Sequence, residues 1–369
     1  MFNFENVKAF SAIDANKDLC DAMREYAKNY IAERKGDVKA FSAHSKDEME
    51  ALVTKEFMAR VSAMSGVEVG LTDNKTNAQR LANNIIVKQY ANEIRDIMVD
   101  MVLPDILDHG ALRYIAKIDY ADLGDSIDYT IKNNRLFTVS KAGYRKAHGR
   151  LQKQFETSVT MTGENHEITV GDDLYNILTG SANIAEAVMK AGLSIEYAML
   201  VDVIKAFEGA MANLSGSLAV ANYDEKEAIR LAERITAYNQ GRKAVFIGCP
   251  TALKGILPSN ANYRYLLGDE YVKAGHLSTF NGFDVLPLEQ IADLYDENDD
   301  YGLLLDDTKV YVVSPASDKL VKIGVFGGTI TRHKDANDSG NLLQLDTINK
   351  AWNVDVITNS VAGIIKSFS

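Results

Sequence analysis

Between Ile184 and Phe207 apolar side chains return every three or four residues: Ile184, Ala187, Val188, Ala191, Ile195, Met199, Val203 and Phe207. That is the period of one helical face, and it persists well beyond the average helix of about 11–12 residues. A helix this long needs cover along its whole apolar side, so it serves as a spine around which the remaining chain is arranged. The chain has 369 residues, enough for a sizeable core and for more than one domain.

Residues 1–110 read as a helical arm. Ser45 to Glu48 has capping-box form, with Met49, Leu52, Val53, Phe57 and Val61 following at helical spacing. Thr76 to Gln79 repeats the signal ahead of Leu81, Ile85, Ile86, Tyr90, Ile94, Ile97, Met98 and Met101. Pro104 disfavours helix at the residue before it and is expected to end that run.

From residue 111 the period changes to two. Apolar and polar residues alternate from Ile115 to Tyr129 and from Arg135 to Val139, and a second strand pair is expected near Gln154–Met161 and Glu167–Val170, joined by a turn at Gly163-Glu164-Asn165. Between Tyr129 and Phe155 stand Lys132, Arg135, Lys141, Arg145, Lys146, Arg150 and Lys153, with no Asp or Glu. So polar a stretch packs poorly on its own subunit and reads as a projecting loop within residues 111–171.

Residues 172–215 hold a short helix at Asp172–Leu178 and then the spine. The weakly patterned Asn213–Asn222 looks like a domain boundary, and 216–330 reads as compact α/β. A helix over Asp224–Tyr238 turns at Gln240-Gly241 into a buried strand at Ala244–Ile247, and Pro250 suits the first turn of the next helix. Asn281-Gly282 between two apolar runs is a two-residue hairpin signal. Lys309–Val313 and Leu320–Phe326 read as a strand pair, and 331–369 closes with strands at Trp352–Ile357 and Val361–Ile365. The class is α+β.

Catalytic motifs find little support. The cluster Gly324-Val325-Phe326-Gly327-Gly328 lacks the lysine and following helix of a phosphate loop. Asp335, Asn337, Ser339 and Asp346 match calcium-loop spacing, but the flanks read as strand and short helix and Asp346 stands where a bidentate Glu is usual. That stretch reads as a polar surface loop. The six histidines show no ligand spacing, and Cys20 and Cys249 form no CxxC pair. No cofactor is expected. Neither a signal peptide nor an apolar span of about 20 residues is present in the sequence, so no membrane address is expected.

Charge is more informative. The net charge of -11 is the wrong sign for a chain that grips nucleic acid, although an acidic container can still enclose it. Residues 274–308 carry nine acids, among them Asp296, Glu297, Asp299 and Asp300, and no Lys or Arg. Opposite patches on one chain either face solvent or steer subunits together. The second reading makes Lys132, Arg135, Lys141, Arg145, Lys146 and Arg150 inter-subunit contacts, with Asp296, Glu297, Asp299 and Asp300 as their partners.

Several stretches resemble one family. ENHEITVGDDLYNILTGSANIAEAVMKAGLSIEYAMLVDVIKAF resembles an extended loop returning into a spine helix. AVFIGCPTALKGILPSN, YLLGDEYVKAGHLSTFNGFDVLPL and KVYVVSPASDKLVKIGVF resemble an axial domain, and WNVDVITNSVAGIIK resembles closing strands of a peripheral domain. Their order over residues 110–369 is similar to that of tailed-bacteriophage major capsid proteins of the Hong Kong 97 type. The resemblance implies a non-enzymatic protein assembling with itself into hexamers and pentamers around double-stranded DNA. It also implies portal, scaffolding or head-completion proteins as partners, and a virion capsid assembled in the bacterial cytoplasm. Residues 1–110 fit this pattern least and are expected to form a retained arm. The alternatives are a host-encoded compartment shell of the same fold and a soluble α/β enzyme using metal at Asp335–Asp346.

Overall fold

The computed structural model describes residues 17–34, 45–109, 116–132, 156–170, 174–258, 271, 274–288, 290–294, 302–314, 319–334 and 345–368. Four helices open it: α1 (Lys17–Arg34), α2 (Lys46–Ser65), α3 (Lys75–Ala82) and α4 (Ile85–His109). The capping box at α2 forms as read. The Glu48 amide donates to Ser45 Oγ at 3.3 Å and the Ser45 amide donates to the Glu48 carboxylate at 3.1 Å.

Three expectations fail here for physical reasons. The run from Leu81 to Met101 is two helices, because the Asn84 side chain takes a backbone amide at the break. Asn74, not Thr76, caps α3 by accepting from the amides of Thr76 and Asn77, and Asn84 accepts from the Ile86 amide at 3.0 Å. Pro104 does not stop α4, which continues to His109. Val87, Ala91, Ile94, Met98, Met101 and Val102 of α4 are buried. At about 1.5–3 kcal/mol for each large aliphatic chain, their burial outweighs the roughly 3 kcal/mol cost of an interior proline.

After α4 the strands begin: β1 (Ala116–Ala121), β2 (Ser126–Lys132), β3 (Glu156–Thr162) and β4 (Glu164–Val170). The short α5 (Leu174–Leu178) precedes the spine helix α6 (Ile184–Ala212), capped by Asn183 accepting from the Ala185 amide at 2.9 Å. Its stripe is buried as expected, including Ile184, Val188, Ile195, Met199, Val203 and Phe207. Then follow β5 (Ala219–Val220), α7 (Glu225–Tyr238), β6 (Val245–Gly248), α8 (Pro250–Leu253), β7 (Thr279–Phe280), β8 (Phe283–Pro287), β9 (Val310–Val313), β10 (Val321–Lys334), β11 (Leu345–Val356) and β12 (Gly363–Ile365). Asn281 (φ 48°) and Gly282 (φ 83°) make the hairpin turn the sequence signals, with both central residues left-handed.

The described strands form a four-stranded sheet in the order β1-β10-β11-β4, a six-stranded sheet in the order β5-β12-β9-β6-β8-β7, and the two-stranded ribbon β2-β3. β1 runs parallel to β10, and the other two pairings of the four-stranded sheet are antiparallel. α4 and α6 pack together against β10 and β11, so helices and four-stranded sheet share one core.

Strand pairing differs from the expected pattern in three places. β3 and β4 do not pair with each other. Gly163 alone separates them, too short for a hairpin, so β3 pairs with β2 while β4 passes into the four-stranded sheet beside β11. β9 and β10 also belong to different sheets, because β9 is a central strand buried at all four positions between β12 and β6. The 213–222 stretch is no free linker, since β5 pairs in parallel with β12. The expected division at 330 therefore falls inside β10, and of the two closing strands β11 joins the four-stranded sheet and β12 the six-stranded one.

The α7 helix lies tightly on β12. A Cβ on Gly363 would stand 2.8 Å from Leu231 Cδ1 and 3.1 Å from the Leu218 carbonyl oxygen. Gly363→Val is expected to lower subunit stability by about 1–3 kcal/mol, the usual cost of overpacking, read as a shifted urea midpoint.

Candidate assembly surfaces

The ribbon is the element least supported by its own subunit. Its register pairs Ile127 with Met161 and Tyr129 with Val159 on one face, and Asp128 with Thr160 and Thr130 with Ser158 on the other. Among its described side chains Met161 alone is buried, packed with Phe326, Ala351 and Ile357. Tyr129 Oη donates to Asp119 at 2.7 Å, and Lys117 pairs with the same carboxylate at 2.9 Å. Burial and the Asp119 carboxylate both raise the Tyr129 phenol, so it stays protonated and keeps donating. Beyond this anchored base the ribbon carries a half-exposed apolar face, and an isolated two-stranded ribbon is at best marginal in water.

Beside the base lies a groove of about 490 Å³ between α4, the turn after β1 and a bulge in β10. The β10–β11 register slips between Phe326 and Ile330, and Gly327 takes φ 63° there. A Cβ on Gly327 would lie 2.7 Å from Leu123 Cβ, so this close approach requires glycine. Leu123 and Ile330 at the groove are 61% and 45% exposed.

The groove floor is a buried polar cluster. Thr329 donates to Asp100 through its amide at 2.7 Å and its hydroxyl at 2.5 Å. Lys350 Nζ donates to Asp100 at 2.7 Å and to the Gly327 carbonyl at 2.9 Å. One turn along α4, Asp96 accepts from the Thr331 amide at 2.9 Å and from its hydroxyl. Two helix carboxylates thus take β10 amides, that of Thr329 within the register slip and that of Thr331 just beyond it. Burial pushes the Asp96 carboxyl up to about 6 from the usual 3.8. Nearby Asp100 adds to the shift, while the Thr331 bonds and Arg95 oppose it.

The spine also fixes the base of the acidic segment. Tyr197 Oη donates to the Ala292 carbonyl at 2.9 Å and accepts from the Leu294 amide at 2.7 Å. Glu208 accepts from Tyr311 Oη at 3.1 Å and from the Asp306 amide at 3.3 Å. On the other side of α6, Trp352 Nε1 donates to Asp202 at 2.9 Å while the His166 ring stacks on the indole at 3.7 Å.

Most residues singled out from the sequence fall outside the described set: Arg135, Lys141, Arg145, Lys146, Arg150, Asp296, Glu297, Asp299, Asp300, Asp335, Asn337 and Ser339. Lys132 ends β2 opposite Glu156, and Asp346 lies in β11 between His333 and Val170, both as backbone positions only. Among the described residues no group of three or more His, Cys, Asp or Glu is placed to hold a metal, and no helix is long and apolar enough to cross a membrane. Both cysteines are buried, and burial pushes each thiol up to about 11, away from nucleophilic thiolate. Sequence reasoning missed Asp96, Asp100 and Lys350. Their signal was an acid inside the apolar run Ile97–Leu103 and a lysine sharing a strand face with Ile348 and Trp352.

The sequence model of a family described as "SPbeta prophage-derived putative capsid protein YonB" matches residues 17–366. The chain belongs to this family. A comparison with curated protein sequences finds no match. Among solved structures the chain is similar to the capsid of a native GTA particle, at 12% identity over 70% of this chain and 97% of that one, TM-score 0.47. It is similar to the mature capsid of bacteriophage PhiM1, at 13% identity over 70% and 87%, TM-score 0.42. It is also similar to a virus-like particle from Pyrococcus furiosus, at 13% identity over 74% and 98%, TM-score 0.35. Membership in that family gives the chain a structural, shell-forming role. Its element order (helices, extended ribbon, spine helix, α/β sheet, closing strands) is the one its resemblance to Hong Kong 97-type capsid proteins implied.

Two stability outcomes follow from the groove floor. Lys350→Met leaves Asp100 buried without its cation and is expected to cost about 3–5 kcal/mol in urea unfolding, with Lys350→Met/Asp100→Asn less destabilised than Lys350→Met alone. Asp96 holds its proton more tightly folded than unfolded, so its contribution to stability falls as pH rises from about 4 to about 6. Measured against Asp96→Asn, the unchanged protein should therefore lose relative stability across that window and none above it.

Proposed function

We propose that this chain is the major capsid protein of a tailed phage or prophage, tiling hexamers and pentamers into an icosahedral shell around double-stranded DNA. The observation that carries the reading is the family match over residues 17–366, joined to a ribbon whose apolar face its own subunit leaves half open. In this reading the four-stranded sheet with α4 and α6 is the peripheral part and the six-stranded sheet the axial part. The basic loop beyond Lys132 lies over a neighbouring subunit, where Asp296, Glu297, Asp299 and Asp300 are candidate partners for its cations. The net charge of -11 suits a container from which packed DNA must later slide free. Portal, scaffolding or head-completion proteins are its further partners, and host cytoplasm is its place of assembly.

The helices α1 to α4 share one core with α6 and the four-stranded sheet, which supports a retained arm in the finished particle. Chains from mature particles should then still contain residues 17–109, read by intact mass.

Expression with the neighbouring gene products, followed by electron microscopy, should show closed shells, tubes or capsomer rings. Nuclease-protected double-stranded DNA in particles from an induced host would support the phage reading. Particles filled with protein and free of DNA would favour a compartment shell. A chain that stays monomeric under these conditions would remove the shell reading altogether.

A further inference from the structure

We propose that Asp96 makes the seam between α4 and β10 a proton-operated latch, closed while its carboxyl is neutral and loosened when it ionises. The device is built into the subunit and does not depend on the shell reading. Asp96 and Asp100 stand one turn apart on α4, and both reach the stretch where β10 slips its register with β11. Asp100 meets the ammonium of Lys350, so its charge is paired. Among the described residues the Asp96 carboxylate is bonded by Thr331 alone, through the amide at 2.9 Å and the hydroxyl, and neither donor carries charge. The charged groups that act on it are Arg95, which favours its ionised form, and Asp100, which opposes it. Glu93 and Asp122 line the groove beside it, and Thr329 and Thr331, the β10 side chains bonded at the seam, do not titrate.

The two states differ in charge more than in bonds. A neutral carboxyl keeps one oxygen to accept from the Thr331 amide and gains a hydroxyl that donates to the Thr331 oxygen, so both seam contacts survive protonation. Ionisation keeps the same contacts but puts a second anion one turn from Asp100, in a site where burial disfavours charge. The titration of Asp96, pushed up to about 6 mainly by burial, agrees with that arrangement. Opening the seam to water relieves the cost. The closed seam therefore binds the proton more tightly than the open one, is favoured at low pH, and loses its advantage as pH rises through about 6. The consequence reaches the ribbon. The bulge brings Gly327 against Leu123, and Leu123 lies in the turn between β1 and β2, so a looser bulge is a looser ribbon root.

The test is hydrogen exchange of the full chain, followed by mass spectrometry from about pH 4.5 to about pH 7 and normalised to intrinsic exchange at each pH. Peptides from α7 and β9, which pack in a separate core, serve as the internal reference. In the unchanged protein, opening of β10 around Thr329 and Thr331 should rise about tenfold or more over that range relative to the reference. Asp96→Asn, a stand-in for the neutral carboxyl, should hold the low-pH protection throughout. Thr331→Val removes a bond that is stronger to the ionised form, so it should move the midpoint of the rise to higher pH. A purely structural contact would leave that midpoint where it was. His333 lies two places beyond Thr331 on β10, and repeating the series with His333→Gln keeps a histidine titration out of the reading. The same pH response in Asp96→Asn, an unmoved midpoint in Thr331→Val, or a rise shared equally by α7 and β9 would each overturn the latch.

Discussion

Asp100 is the point on which the two halves of the main core depend. It projects from the α4 helix into a place where β10 loses its register with β11, and there it takes the amide and hydroxyl of Thr329 and the ammonium of Lys350. Helix, bulge and neighbouring strand are therefore joined by a largely buried charge. Attraction across a buried pair does little more than offset the cost of burying it. What it secures is position, since a helix displaced along its axis would leave a carboxylate and an ammonium uncompensated. The apolar faces of α4 and α6 provide the adhesion, and the polar cluster chooses one alignment among the many that apolar faces permit.

Local grammar proved readable where its cause is local. The spine stripe, the Ser45–Glu48 box, the Asn281-Gly282 turn and the Pro250 helix start all depend on residues within a few positions of one another. Strand partnership does not. β4 finds β11 nearly two hundred residues later, and nothing near Gly163 announces that partner. The same blindness made Pro104 look like a stop, because the burial that carries α4 through it lies in contacts with distant elements. Asp100 stood in plain view inside an apolar run, yet its partners come from β10 and β11, and no periodicity in α4 points to them. The charged segments were legible as composition, but in the proposed shell the surfaces they meet depend on a second copy.

Membership in a capsid family gives these features a common sense. A shell subunit must be complete enough to fold and incomplete enough to need its neighbours. Here the helices and both sheets close their own cores, while the ribbon leaves Ile127, Tyr129, Ile131 and Val159 only partly covered. The acidic balance of the whole and the basic excess of one segment separate two tasks. In the proposed function one surface stays indifferent to a polyanion while another adheres to copies of itself.

Gly163 has a mechanical meaning as well. Because one residue joins β3 to β4, the ribbon passes into the four-stranded sheet with no loop between them. Tension applied at the ribbon tip would run along the backbone into β4 and be spread by the β4–β11 ladder as shear across a row of hydrogen bonds. A load carried in shear is shared by many bonds at once, whereas a load that peels strands apart breaks them one by one. A shell strained from within by packed polymer would thus transmit that strain from one subunit to the next through its strongest direction.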